Sequence, residues 1–409
     1  MFARGSMIQD KKKLSIPDVG LGVFIRKPCE VKEPTMKNKI AYLMTCLFVG
    51  VTIGLSSCEK SEPIKIGFSA TLTGRGAEFG VRCRNAAQFA VDEINHNGGI
   101  KGKQILLIPR DDKNDPEAAR KADKELIDEG VVAIIGHPTS SMSLATISLI
   151  NAKKMLMISP IASAPELTGI DDYFLRVIPD NTAISHEHAA YIYKNLKAQK
   201  VACVIDLSNE GFTMTYFTNF KAVFEQMGGT AVHAVKYTTG PSVDYANLVD
   251  KLMSTNPDCV FIITNAMDAA LICQHLSKRH YNKFITAQGW ALAEEFITNS
   301  GKSSEGVLFP VFIDLNSTAK EYLSFKEKFT KFYKGERQWG EIMTYETVMV
   351  LRDALTKAET FTPDELKKQI LKQKTFPGLQ KDFSIDKYGD GKRDVFWLKV
   401  IGSQFKSIN

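Results

Sequence analysis

The chain has 409 residues, with 52 Lys and Arg against 46 Asp and Glu, a formal net charge of +6. Residues 1–58 hold nine basic and four acidic side chains and so account for most of that excess, which leaves the remainder near neutrality. A basic surface for nucleic acid is therefore not expected, and the length beyond residue 58 suffices for two domains of ordinary size.

In chain order, the first feature is Lys37 and Lys39 before a mostly apolar run, Ile40 to Ile53, that ends in Leu55-Ser56-Ser57-Cys58. A run this short, with basic residues before it and small ones after it, predicts a secretory signal rather than a spanning helix; a short uncleaved anchor is the alternative. Its last four residues resemble the bacterial lipobox, whose cysteine is acylated, so Cys58 is the expected lipidation site. On that reading Met36 is the natural initiator, residues 36–58 are a lipoprotein signal, and residues 1–35 are an upstream extension with no evident fold. The mature protein is expected outside the cytoplasm, lipid-anchored to a bacterial membrane and facing the periplasm or the cell exterior.

From Ile64 onward, strand-like runs alternate with stretches of helical period. The first series predicts strands at Ile64 to Ser69, Gln104 to Pro109, Val131 to Ile135 and Met155 to Ile158, with helices from Phe79 to His96, Pro116 to Glu129 and Ser140 to Ile150. The second predicts strands at Val201 to Asp206, Ala231 to Tyr237, Cys259 to Thr264 and Phe284 to Gln288, with helices from Phe212 to Met227, Tyr245 to Ser254 and Met267 to Lys278. Helices follow from Ser317 to Tyr333 and Glu341 to Lys357, and a last strand runs from Asp394 to Ile401. This alternation is βαβ logic: an α/β fold with parallel sheets covered by helices on both faces, repeated as two lobes. The late helices and the last strand imply that the chain crosses between lobes more than once.

The segment VVAIIGHPTSSMSLATISLINAKKMLMISPIASAPEL, Val131 to Leu167, is the most informative. Two apolar runs each stop at a hydroxyl-bearing loop with an amphipathic helix between them. In open α/β sheets such loops lie side by side at the strand carboxyl ends, where small ligands bind. Ser140 and Ser141 fall at a helix start, where N–H groups, hydroxyls and the helix dipole converge on an anion. Capping and turn formation alone would also account for these serines and for Ser159-Pro160 and Ala164-Pro165.

Other patterns carry less. Gly74 to Gly80 reads G-x-G-x-x-x-G before a helix, one residue too long for a dinucleotide fingerprint; the glycines suit a tight turn and a close approach to ligand. Asp386 to Gly391 resembles a calcium loop whose twelfth position is Trp397 instead of Glu, so a turn is expected. His186 and His188 read as surface residues, and no metal set is completed around them. Neither cofactor nor metal is expected, and no nucleophile elbow, zinc motif or phosphate loop points to an enzyme. Cys83, Cys203, Cys259 and Cys273 sit in apolar patterns outside C-x-x-C spacing; buried thiols are expected, a disulfide being the alternative.

Taken in order, IKIGFSATLTGRGAEFG, AVDEINHNGGIKGKQI, DDKNDPEAA, IIGHPTSS, SPIASAPELT, TYETVMVLRDAL and FSIDKYGDG resemble the type I solute-binding proteins of branched-chain amino acid ABC transporters, over Ile64 to Ser407. The resemblance implies two Rossmann-like lobes joined by a three-stranded hinge, lobe one from 63–181 and 313–385 and lobe two from 182–312 and 392–409. Crossings are then expected near Pro179 to Asn181, Val311 to Asp314 and Asp386 to Asp394. It further implies a ligand carboxylate held by Ser140, Ala162 and Ser163, beside Ser141, with Phe79 as the aromatic of the first loop. The family's ammonium-binding glutamate aligns with Gln288, two of its tyrosines with Glu210 and Asn265, and its early disulfide with Asn114 and Thr139. A neutral Gln288 leaves two readings: Glu210 supplies the counter-charge, or the ligand carries no ammonium. Trp290 is either an aromatic wall of the site or a core residue. The implied function is a monomeric receptor that closes on a small amino acid or carboxylate and delivers it to a permease. A sensor module with the same fold is the alternative.

Overall fold

The computed structural model describes residues 62–74, 76–333 and 339–408. The expected upstream extension, signal segment and Cys58 lie outside the described residues. Among the described residues, no helix is long and apolar enough to cross a membrane.

The chain begins with β1 (Ile64–Ala70), α1 (Ala77–His96), β2 (Ile105–Asp111), α2 (Pro116–Asp128), β3 (Ile134–Gly136), α3 (Ser140–Lys153), β4 (Met157–Ser159) and β5 (Phe174–Arg176). There follow α4 (Asn181–Lys194), β6 (Lys200–Asp206), α5 (Glu210–Gln226), β7 (Thr230–Tyr237), α6 (Tyr245–Met253), β8 (Cys259–Ile263), α7 (Ala266–Lys278), β9 (Phe284–Ala287), α8 (Glu294–Ser300) and β10 (Leu308–Val311). The remainder is α9 (Lys320–Phe332), α10 (Trp339–Lys357), α11 (Pro363–Gln373), β11 (Thr375–Phe376), β12 (Phe383–Ile385), β13 (Gly391–Lys392), β14 (Phe396–Val400) and β15 (Phe405–Ser407).

Two large sheets and a small antiparallel one, β11-β12-β13, organise these elements. The first has the order β2-β1-β3-β4-β5 and is parallel throughout. The second has the order β15-β14-β10-β9-β8-β6-β7, parallel from β7 to β10 and antiparallel at β14 and β15. Strands such as β8, CVFII, are buried at every position because helices cover both faces, and so they read as continuous apolar runs rather than as alternation. The chain leaves the first sheet after β5, returns after β10 to place α10 against α1, and leaves again after β13 for β14.

Tight packing fixes the cleft end of the first lobe. A Cβ on Gly80 would stand 2.0 Å from the Thr71 carbonyl oxygen, so only glycine lets α1 approach the β1 loop this closely. The Asp386 to Gly391 segment is a turn: Asp386 Oδ1 accepts the Tyr388 and Asp390 N–H groups. Asp390 Oδ1 then takes the fully buried Arg176 guanidinium at 2.7 Å, tying the turn to β5.

The structure adds β5, α4, α8, β10 and α11, which the periodicity did not single out. It also corrects the reading of His188, which is buried. Ile184, His188 and Ile192, spaced four apart, share the inward face of α4. His188 Nδ1 meets Tyr216 Oη at 3.0 Å and Nε2 meets Thr286 Oγ1 at 2.6 Å, while burial lowers its pKa to about 3. Partners on both nitrogens thus make a neutral histidine compatible with the core. The four described cysteines are free and buried.

Candidate functional site

The carboxyl ends of both sheets face one another across a cleft. Lobe one supplies Thr71, Gly76, Phe79, Gly80, Asn114, Pro138 and Thr139 to a cavity of about 20 Å³, and lobe two supplies Ser208, Thr239, Asn265 and Trp290. That volume suits about one water molecule. Among the described residues, no Lys or Arg lines it.

The lobes are held together around this cavity. Ser141 N donates to Asn209 Oδ1 at 3.2 Å, Gly211 N donates to Ser141 Oγ at 3.0 Å, and Asn114 Nδ2 donates to the Ser208 carbonyl at 3.1 Å. Trp339 Nε1 reaches the Gly289 carbonyl at 2.6 Å. Arg82 bridges Glu295 of α8 at 2.8 Å and Glu341 of its own lobe at 3.0 Å.

The residues expected from sequence occupy distinct places. Ser140 is buried, and its Oγ accepts the Ser163 N–H at 3.0 Å, which couples the two serine loops directly. Ala162 is buried beneath them, its N–H donating to Ser159 Oγ at 2.9 Å. Ser140, Ala162 and Ser163 stand behind the cavity wall, to which the half-buried Thr139 contributes directly before Ser140. Ser141 is engaged with lobe two, as described above. Phe79, Asn265 and Trp290 line the cavity, and Trp290 lies edge-on to Phe212 at 6.4 Å.

Two further expected residues, both in lobe two, do not reach it either. Glu210 is exposed at the first position of α5, where a carboxylate complements the helix dipole. Gln288 is fully buried with both ends of its amide engaged inside lobe two: Nε2 donates to the Thr264 carbonyl at 3.0 Å, and Oε1 accepts Trp290 N at 2.5 Å. The glutamine therefore clamps the end of β8 to the turn that carries Trp290.

Sequence reading passed over several polar groups that the fold assembles. Thr139 is the N-cap of α3, yet its hydroxyl makes no capping bond, and Oγ1 is buried without a hydrogen-bond partner. In lobe two, Asp206 Oδ1 accepts Ser208 N at 2.9 Å and Thr239 N at 3.1 Å, and Oδ2 accepts Thr264 Oγ1 at 3.1 Å. Asp268 Oδ2 accepts Thr239 Oγ1 at 2.6 Å and Tyr237 Oη at 2.9 Å. Burial raises the Asp206 pKa and the neighbouring Asp268 adds to that, against the N–H groups that lower it. These carboxylates sit one layer behind Thr239 and Asn265. The sequence signal available for them was position alone, an acid or hydroxyl just past a strand end. The arrangement offers hydroxyls, amides and aromatic faces on two opposed walls, which suits holding a small polar ligand.

Comparison with known proteins follows the same line. Residues 63–404 match the periplasmic binding protein family. A Leu/Ile/Val-binding protein homologue of Brucella melitensis is 28% identical over 269 residues, covering 65% of this chain and 72% of its own. The leucine-specific-binding protein of Salmonella typhimurium is 25% identical over 327 residues, 78% of this chain and 86% of its own. A leucine-binding protein of Thermotoga maritima superimposes with a TM-score of 0.78 at 26% identity, covering 85% of this chain and 98% of that one. These relatives are binding proteins rather than enzymes.

Proposed function

This chain belongs to the periplasmic binding protein family, and from that premise we propose that it is the membrane-anchored receptor of an ABC importer, closing on a small amino acid. Lobe one, 63–181 with 313–385, and lobe two, 182–312 with 392–409, are the two moving bodies. Cys58 carries the lipid, and a permease is the receiving partner. The observation that carries this reading is the polar cavity at the facing carboxyl ends of the two sheets, bridged by hydrogen bonds from both lobes. A cavity of 20 Å³ leaves no room for an amino acid, so the lobes part to admit one and reclose around it. Ser140 and Ser163 serve the ligand carboxylate: accepting the Ser163 N–H leaves the Ser140 hydroxyl proton to be donated. The leucine-binding names of its relatives favour an aliphatic amino acid.

A thermal-shift screen over the L-amino acids, benzoate and 4-methylpentanoate tests the reading. An amino acid at a hundred times its Kd raises stability by about 2.7 kcal/mol. Ser140→Ala should then weaken its binding by about 1.5–3 kcal/mol, the worth of a charge-assisted hydrogen bond. Stabilisation by the ammonium-free acids alone, or by none of these compounds, refutes the assignment.

A further inference from the structure

Behind the lobe-one wall, three ionisable side chains with no exposed surface stand in line. His137 Nδ1 meets Asp112 Oδ2 at 2.7 Å, and Nε2 meets Asp123 Oδ2 at 3.2 Å. Burial by itself would lower the imidazole pKa, but the carboxylates of Asp123 and Asp112 outweigh it and raise the value to about 10. At neutral pH the ring is therefore a cation that donates from both nitrogens.

The line reaches the cleft at its Asp112 end and through the His137 backbone. Asp112 Oδ1 accepts Thr71 Oγ1 at 2.7 Å and Asn114 N at 2.9 Å, and Thr71 and Asn114 both line the cavity. The His137 carbonyl accepts Ser159 Oγ at 2.7 Å and Ser143 Oγ at 3.2 Å, so the two serine loops hang from the same residue. Thr139 follows two positions later. At the far end Asp123 lies on the buried face of α2, none of whose residues lines the cavity.

Stability alone does not account for this line. Removing three charges from water is costly, and apolar side chains of the same volume would fill the space as well or better. Asp123 Oδ1 is moreover buried without a hydrogen-bond partner, so the cost is only partly offset. What the ions add is direction: each donor and acceptor has one orientation, and that orientation passes from α2 to the cavity wall. We propose that Asp112, His137 and Asp123 form a positioning triad that holds Thr71, Asn114 and the Thr139–Ser141 turn where the ligand meets lobe one. The binding arm of its test rests on the amino acid reading above; the spectroscopic arm does not.

The experiment compares the full chain with Asp123→Asn and His137→Gln, and with Leu126→Ala as a control. Leu126 is buried in α2 outside the line and creates a cavity when truncated. Calorimetry with L-leucine should show affinity reduced about tenfold or more in His137→Gln, and reduced in the same direction in Asp123→Asn. Leu126→Ala should lower the melting temperature while leaving that affinity unchanged. By nitrogen-15 NMR at pH 7.5, His137 of the wild type should carry protons on both ring nitrogens. Asp123→Asn should shift the Asn114 backbone amide, which donates to Asp112 Oδ1 at the other end of the line. A single ring proton in the wild type, or an unmoved Asn114 amide, overturns the triad, as does equal loss of affinity in Leu126→Ala and His137→Gln. A wild type that ignores every amino acid refutes the ligand reading instead and leaves the two NMR readings to decide the triad.

Discussion

Replacing Gln288 by glutamate should harm this protein, and the size of the effect follows from the two bonds that Gln288 makes. The amide donates to the Thr264 carbonyl and accepts from Trp290 N with no exposed surface. An ionised glutamate keeps the second bond but sets an oxygen about 3 Å from the Thr264 oxygen, where neither atom can donate. Protonation relieves the clash, because a carboxylic acid donates through its hydroxyl and accepts through its carbonyl as the amide does. Burial and the facing carbonyl together should raise the new acid by about two to three pH units above its ordinary value near 4.3. At about 1.36 kcal/mol per unit, Gln288→Glu should lose about 3–4 kcal/mol at pH 8. Because the folded pKa is raised, that loss is absent below about pH 4.3, grows as pH rises to the folded pKa near 7, and stays constant above it. Differential scanning calorimetry of variant and wild type at matched pH should show a melting difference of about 4–6 °C at pH 8 that nearly vanishes at pH 4.5. A difference that is equal at both pH values, or missing at pH 8, would refute the clamp.

Two other substitutions probe the cleft. Glu210→Gln should change amino acid affinity by less than about 0.5 kcal/mol in calorimetry, since the side chain is exposed and outside the cavity wall; a tenfold loss would restore Glu210 as the counter-charge. Gly289→Ala places a Cβ 3.1–3.2 Å from the Trp339 ring, which must give way for the lobes to meet. It should weaken ligand binding by about 1–2 kcal/mol and expand the ligand-bound protein in small-angle scattering, without lowering the unliganded melting temperature; unchanged affinity and size would show that the contact does not limit closure.

The alternating architecture was open to sequence reading because it is written in local periods. The run Cys259-Val-Phe-Ile-Ile263, short and rich in β-branched and aromatic residues, reads as a strand covered on both faces, and the stop of Ile134-Ile-Gly136 before Thr139-Ser-Ser141 marks a strand end opening onto a helix. The direct bond between the Ser140 and Ser163 loops likewise follows from placing adjacent parallel strands β3 and β4 side by side. Tertiary structure decided the rest, because it depends on which distant groups meet. His188 lies in a helix of weak amphipathicity, and only the Tyr216 and Thr286 partners, 28 and 98 positions away, make its burial favourable. Gln288 and Glu210 were expected to face the ligand, yet the Gln288 amide is taken up by Thr264 and Trp290 while Glu210 turns to solvent at a helix start. Thr139, which sequence reading placed only just before a helix, has a hydroxyl left over once the backbone around it is folded. Periodicity records how much of a segment is buried; it does not record the direction in which a single donor points, and a binding cleft is made of such directions.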